Sequence, residues 1–207
     1  MTDLEKILHH QLVCILRGAD TAKVMQIVQA LYEGGIRLIE ITMNSPNPLS
    51  SIEKLSEAFG DKMLIGAGTV LNTAMAKDAI ASGAKFIISP TLNIETIQYT
   101  KAQNAVSIPG AYTPTEILAA FEGGGDIIKV FPARGNADYL KDIHAPLPHI
   151  PLMPTGGITP DNIASFKKAG AVAFGIGSSI VNMKTEISET SSNDILKKAQ
   201  AFVKALV

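Results

Sequence analysis

The 207-residue chain has no tryptophan and one cysteine, Cys14. A single thiol cannot close an internal disulfide, so nothing in the sequence calls for an oxidising compartment. Cys14 is expected to be a small buried apolar side chain rather than a nucleophile. Charge is also scarce. Asp, Glu, Lys and Arg make up 18% of the chain, below the ~25% of an ordinary soluble domain. Their near balance, 18 Lys and Arg against 19 Asp and Glu, excludes nucleic acid or an anionic membrane surface as the main partner. No apolar run approaches the ~18 residues that cross a bilayer. The opening Met1-Thr2-Asp3-Leu4-Glu5-Lys6 lacks the apolar stretch of a signal peptide. His9, His10, His144 and His149 have no metal-ligand spacing and are expected at the surface, so no metal is expected. A cytoplasmic protein is the expectation.

What remains is aliphatic. Hydrophobic residues are 46% of the chain and aromatic ones 5%, and the length suffices for one substantial core. Four segments share a pattern of helix-like stretch, Gly, then aliphatic strand, beginning near Gly34, Ser82, Gly123 and Ala169, at intervals of about 45 residues. Between them lie Val13–Leu16, Met63–Ile65, Ala105–Ile108 and Ile150–Met153. Each half-interval fits a strand plus a crossover helix. Val24, Ile27, Val28 and Leu31 recur at helical spacing before Gly34-Gly35. Thr113-Pro114-Thr115-Glu116 reads as N-cap, N1 proline and N3 glutamate, and Thr159-Pro160-Asp161-Asn162 is expected to open a helix the same way. Residues 1–11 and 193–207 are expected as a leading and a closing helix. Eight continuous aliphatic strands alternating with helices predict a compact α/β (β/α)8 TIM barrel forming one domain over 1–207. An open doubly wound sheet is the alternative.

In such a barrel the chemistry sits at the carboxyl ends of the strands. Three charged residues stand there in otherwise aliphatic segments. Period-2 alternation aligns Arg17 with Val13 and Ile15, Glu40 with Leu38 and Thr42, and Lys129 with Ile127 and Phe131. Isolated buried charges are costly, so the three should compensate one another or carry function. An amine among Ile127, Ile128, Val130 and Phe131 is desolvated, which lowers its pKa. Arg17 would lower it further and Glu40 would oppose that, so the net shift stays open. A neutral amine is what Schiff-base chemistry with a ketone requires, and Glu40 is then the natural proton shuttle. Gly156-Gly157 and Gly177-Ser178 fall at the two loops that bind phosphate in these barrels, together with the N-terminus of a short extra helix. Gly66-Ala67-Gly68-Thr69 lacks the spacing of a dinucleotide loop, so no nicotinamide cofactor is expected.

Six ordered motifs then carry a family resemblance: Leu38-Ile39-Glu40-Ile41-Thr42, Ile65-Gly66-Ala67-Gly68-Thr69-Val70, Phe86-Ile87-Ile88-Ser89-Pro90, Ile108-Pro109-Gly110, Ile128-Lys129-Val130-Phe131-Pro132-Ala133 and Pro154-Thr155-Gly156-Gly157-Ile158. Over essentially its whole length the chain resembles the class I 2-keto-3-deoxy-6-phosphogluconate (KDPG) / 4-hydroxy-2-oxoglutarate (KHG) aldolases. The resemblance implies Lys129 as the Schiff-base lysine and Glu40 as the general acid/base. It implies Thr69, Pro90 and Phe131 around the pyruvyl moiety, and Thr155, Gly156, Gly157, Gly177 and Ser178 at the phosphate end. It also implies a homotrimer working on a small phosphorylated keto acid without cofactor or metal.

Two features depart from the enterobacterial pattern of that family. Its Arg four residues after the glutamate is Asn44 here, and Arg17, in Ile15-Leu16-Arg17-Gly18, is the expected replacement for holding the substrate carboxylate. Asn44-Ser45-Pro46 with Leu16-Arg17-Gly18 resembles the 6-phosphogalactonate aldolases, whereas Pro154-Thr155-Gly156-Gly157 resembles the gluconate type. Two other functions use the same constellation: a sugar-phosphate isomerase or epimerase with Glu40 as lone base, and a non-catalytic barrel that binds a keto acid or sugar phosphate.

Overall fold

A computed structural model describes residues 1–182 and 188–206. The first part of the chain runs α1 (Asp3–His10), β1 (Leu12–Leu16), α2 (Thr21–Glu33), β2 (Leu38–Thr42), α3 (Pro48–Phe59), β3 (Leu64–Gly68), α4 (Thr73–Ala81), β4 (Phe86–Ile88) and α5 (Ile94–Ala102). It continues β5 (Val106–Ile108), β6 (Gly110–Ala111), α6 (Pro114–Glu122), β7 (Ile128–Val130), α7 (Ala137–His144), β8 (Leu152–Pro154), α8 (Ile163–Lys168), β9 (Phe174–Ile176) and α9 (Glu189–Leu206). Val207, at the end of the expected closing helix, lies outside the described residues.

Every strand pair is parallel, in the orders β5-β4-β3-β2-β1-β9 and β6-β7-β8. The expected fifth strand, 105–108, is β5, and past Pro109, which has no N–H to give to a ladder, the two-residue strand β6, which the sequence reading lacks, pairs with β7. The Pro109 carbonyl still accepts from Lys129 N at 2.9 Å, which carries the wall across the break. Bridges Leu152↔Ala171 and Thr155↔Gly175 join β8 to β9. The strands therefore curl into the expected TIM-barrel fold rather than an open sheet.

The two faces of each strand separate two cores. Val13, Leu38, Leu64, Phe86, Val106, Ile127, Met153 and Ala173 point inward, and Ile7 of α1 joins them to close the amino-terminal end. Cys14, Ile39, Ile65, Ile87, Ile128, Leu152 and Phe174 point outward and pack under the helices. Cys14 is fully buried, and burial pushes its thiol pKa up, so it is an inert core residue as expected. On α2 the residues at helical spacing, Val24, Ile27, Val28 and Leu31, are all buried, each contributing about 1.5–3 kcal/mol.

Helix α6 opens with the expected capping box. Glu116 N donates to Thr113 Oγ1, and Thr113 N donates to the Glu116 carboxylate at 2.8 Å. The parallel expectation at Thr159 fails. Helix α8 starts four residues later at Ile163, and Asn162 stands at its cap without bonding it. Asn162 is engaged with the preceding loop instead: its Oδ1 accepts from Thr159 N at 2.9 Å and its Nδ2 donates to Gly157 O at 2.8 Å. Two histidines also depart from the surface expectation. His10 is half-buried, and the ring of half-buried His144 occupies the space a side chain at Gly170 would need, with its Nδ1 buried.

Candidate active site

At the carboxyl ends of the strands lies a cleft of about 300 Å³, lined by Arg17, Lys129, Phe131, Thr155, Gly156, Gly157, Gly177 and Ser178 among others. Sequence reasoning had placed these residues together, and the fold brings them to one opening. Ile15, Ile158, Thr159 and Ser179 complete the lining. Ser179 continues the Gly-Ile-Gly-Ser-Ser run; Ile15 shares Arg17's strand face.

Glu40 sits below this cleft, fully buried in the middle of β2. Among the described residues neither of its carboxylate oxygens has a hydrogen-bond partner. Lys129, in the middle of β7, is 4% exposed. Its Nζ stands 5.1 Å from the Phe131 ring centroid, and Phe131 itself is 40% exposed at the mouth. Burial dominates the electrostatics of both groups. It raises the Glu40 pKa, against the opposing pull of Lys129 and Arg17. It lowers the Lys129 pKa, Glu40 resisting and Arg17 assisting. The direction left open by the sequence is thus a displacement of both groups toward their neutral forms.

A glycine makes room for the carboxylate. A Cβ at Gly68, the last residue of β3, would overlap the Glu40 side chain. Sequence reasoning missed this role; the only signal was the Gly-Ala-Gly-Thr motif ending a strand beside the one carrying Glu40.

Arg17 does not share the barrel interior with the other two charges, as the strand alternation suggested. β1 ends at Leu16, so Arg17 lies one residue beyond it, exposed on the rim. There it is clamped. Its Nη1 donates to Asn44 Oδ1 at 3.0 Å and its Nη2 to Thr69 Oγ1 at 3.3 Å. Beneath the clamp Gly18 N donates to Ser45 Oγ at 2.8 Å, and the Ser45 and Thr42 hydroxyls are 2.9 Å apart. Asn44 is therefore a partner of Arg17, not only a missing arginine. Thr69 holds φ 55°, a left-handed conformation that a β-branched residue rarely adopts and that costs about 1–3 kcal/mol. Pro90 follows β4 and packs its backbone against Gly110, outside the residues that line the cleft.

The far end of the cleft is built from backbone. Gly156 and Gly157 have φ 97° and 76°, and a Cβ on Gly157 would press on Gly135 N at 2.7 Å. Among the described residues the N–H groups of Gly157, Ser178 and Ser179 have no acceptor, whereas Gly156 N faces Gly175 O across the Thr155↔Gly175 bridge. Ser178 to Ile180 form a single turn, so within the described residues the expected short helix is a turn instead. Thr155 is buried, and its Oγ1 has no partner among the described residues. Unpaired donors at one end, an arginine at the other and an amine–carboxyl pair between them suit an elongated anion with a reactive centre in its middle.

Fold and cleft together define a (β/α)8 enzyme with its reactive groups at the carboxyl ends of the strands. The chain belongs to the KDPG and KHG aldolase family, which it matches over residues 4–197. It is 34% identical to the 2-dehydro-3-deoxy-6-phosphogalactonate aldolase of Escherichia coli K12 over 94% of this chain and 93% of that one. It is 30% identical to the 2-dehydro-3-deoxy-phosphogluconate aldolase of Zymomonas mobilis over the full length of both. A solved KDPG aldolase of Legionella pneumophila, with pyruvate captured as a covalent carbinolamine, superposes at a TM-score of 0.88 with 27% identity, covering 97% of this chain and 98% of that one. The protein is thus an aldolase, a lyase. No helix among the described residues is long and apolar enough to cross a membrane.

Proposed function

We propose that this aldolase cleaves 2-keto-3-deoxy-6-phosphogluconate to pyruvate and glyceraldehyde 3-phosphate through an imine on Lys129, and also 4-hydroxy-2-oxoglutarate to pyruvate and glyoxylate. The observation that carries the reading is the buried Lys129 amine, its pKa lowered, above a buried and unpartnered Glu40.

The free amine attacks the C2 ketone, and Glu40 in its acid form gives the carbinolamine hydroxyl the proton it needs to leave as water. The resulting iminium is cationic, and the Glu40 carboxylate left behind is its counter-ion. Glu40 next removes the C4 hydroxyl proton. The C3–C4 bond breaks, its electrons pass to the iminium nitrogen, and glyceraldehyde 3-phosphate departs. Protonation of the enamine at C3 and hydrolysis of the imine release pyruvate and restore the amine. Arg17, fixed by Asn44 and Thr69, holds the C1 carboxylate. The amides of Gly157, Ser178 and Ser179 hold the phosphate, Gly156 making the turn that aims them, and the Thr155 hydroxyl meets a hydroxyl of the sugar chain. Phe131 supplies apolar wall at the pyruvyl end, and Pro90, outside the lining, is left without that role.

Each proton moves on Glu40 and each electron pair on the Lys129 nitrogen, so the cycle calls for no cofactor or metal. The assay is incubation with pyruvate and borohydride followed by peptide mass spectrometry. An adduct on Lys129 that Lys129→Ala abolishes is expected. Turnover that persists in Lys129→Ala would move the protein to the isomerase or epimerase reading, and binding without pyruvate release to the non-catalytic one. The 2-keto-3-deoxy-6-phosphogalactonate epimer is the specific competitor, favoured by Leu16-Arg17-Gly18 and Asn44-Ser45-Pro46. Thr155 favours the gluconate epimer, and kcat/KM on the two side by side decides.

The working form we propose is a cytoplasmic homotrimer, with no nucleic-acid or membrane partner. Leu71, Ile94 and Tyr112, 49%, 37% and 42% exposed beyond β3, β4 and β6, are apolar surface suited to a subunit contact. Sedimentation velocity at micromolar concentration reads the subunit number.

A further inference from the structure

At the opposite end of the barrel from the cleft, under the feet of β2 and β3, α1 encloses a pocket of about 170 Å³. Four of its lining residues are basic or imidazole groups: Lys6, His10, Arg37 and Lys62. Lys6 and His10 are four apart on α1, so they share a face. Arg37 is held rigidly. Its Nη1 donates to Tyr32 O at 2.7 Å and to Ile36 O at 2.8 Å, and its guanidinium lies 4.3 Å from the Tyr32 ring centroid. Lys62 Nζ stands 5.9 Å from that same ring.

Two cations thus stand against one tyrosine ring. Among the described residues Arg37, Lys62 and His10 make no ion pair. Lys6 alone is neutralised, by Asp3 at 2.8 Å, and Asp61, the carboxylate in the wall, pairs with none of them. The Arg37 Nη1 is committed to carbonyls, and its other donors are free to serve a ligand. In a chain this poor in charge and near-neutral overall, gathering like charges on a concave surface is unfavourable until an anion fills it. Burial first, then the neighbouring His9 and Arg37, hold the His10 pKa down.

We propose that this pocket is a second anion site, distinct from the catalytic cleft, that takes a compact multivalent anion of the phosphate-ester or polycarboxylate kind. A bound anion would bridge α1 to Arg37 and Lys62 ahead of β2 and β3. Since Ile7 of α1 closes the barrel's amino-terminal end, occupancy fastens that closure and stabilises the fold by linkage.

The test is thermal unfolding followed by circular dichroism, with pyrophosphate and, in a separate arm, citrate, at constant ionic strength set with chloride. The full chain and an Arg17→Ala/Lys129→Ala variant that strips the cleft of cations are compared. The midpoint is expected to rise with anion concentration equally in both, and amide exchange to slow at Arg37 and Lys62–Leu64. Lys62→Glu, at an exposed position that tolerates replacement, should weaken the effect at least about tenfold while leaving turnover unchanged, and His10→Gln should weaken it less. A response to pyrophosphate alone assigns the phosphoryl class, and one to citrate alone the polycarboxylate class. The proposal is overturned if the stabilisation vanishes with the cleft cations, if it survives Lys62→Glu, or if neither anion moves the midpoint.

Discussion

The sharpest perturbation of the catalytic pair leaves both of its residues in place. Gly68→Ala adds one methyl group at the end of β3, and that carbon would overlap the Glu40 carboxylate as well as the Cγ and Cδ behind it. Glu40 is fully buried and cannot swing into solvent. β2 is paired with β1 on one side and with β3 on the other, at Glu40↔Gly66 and Thr42↔Gly68, so the backbone cannot retreat either. Overpacking of this kind costs about 1–3 kcal/mol of stability, and for a chain of this length 1 kcal/mol lowers the melting midpoint by about 2–4 °C. The effect on rate should be larger. A misplacement of about 1 Å in a proton-transferring group costs on the order of a hundredfold, so kcat/KM for pyruvate release, followed through NADH oxidation by coupled lactate dehydrogenase, should fall by about that factor. Borohydride trapping of pyruvate should still fall on Lys129, whose amine is untouched, but more slowly, since Glu40 also protonates the departing carbinolamine hydroxyl. A Gly68→Ala enzyme with kcat/KM within about twofold of the parent would refute the cradle and the role of the Glu40 position.

Other substitutions separate the remaining parts. Glu40→Gln removes the charge that holds the Lys129 pKa up, leaving burial and Arg17, which both depress it. The midpoint of the pH dependence of pyruvate–borohydride trapping should therefore move to lower pH, and a move upward would contradict the assigned coupling. Arg17→Ala should raise KM by about 10- to 100-fold through loss of a charge-assisted contact. Asn44→Ala, which removes only one of two clamps on that guanidinium, should raise KM about two- to fivefold with kcat unchanged. Steady-state kinetics on the phosphorylated substrate read both, and equal effects of the two substitutions would argue against a positioning role for Asn44. Thr155→Val replaces a buried hydroxyl that has no partner among the described residues, so stability should hold or rise by about 1 kcal/mol. Its kcat/KM on the gluconate substrate should drop about tenfold, and unchanged turnover would remove Thr155 from substrate recognition.

The barrel was legible because it rests on local periodicity. Aliphatic strands at regular intervals and the apolar stripe of α2 are statements about neighbours within a few residues, as is the Thr113–Glu116 capping box. Where one residue's local options compete, sequence misled. Thr159 has the look of a cap, yet Asn162 binds back to Thr159 and Gly157 because the loop after β8 has its own amides and carbonyls to satisfy. The two-residue strand β6, Gly110–Ala111, was not legible because its pairing with β7 is a contact between separate parts of the chain. The candidate site was likewise half legible: a charge inside an apolar strand is conspicuous, and Lys129 and Glu40 are such charges.

By itself, then, the amino-acid order singled out the charged residues within aliphatic strands and determined that a repeated strand–helix unit would gather them at one end of a barrel. Only the tertiary structure decided how they act on one another. Whether Lys129 is driven toward its neutral form depends on burial and on Glu40 and Arg17, each contributed by a different strand or strand end. That Asn44 supports Arg17 depends on β1 and β2 ending side by side. Electrostatics and contact act through space, and strands more than twenty residues apart in the chain become neighbours only when the barrel closes.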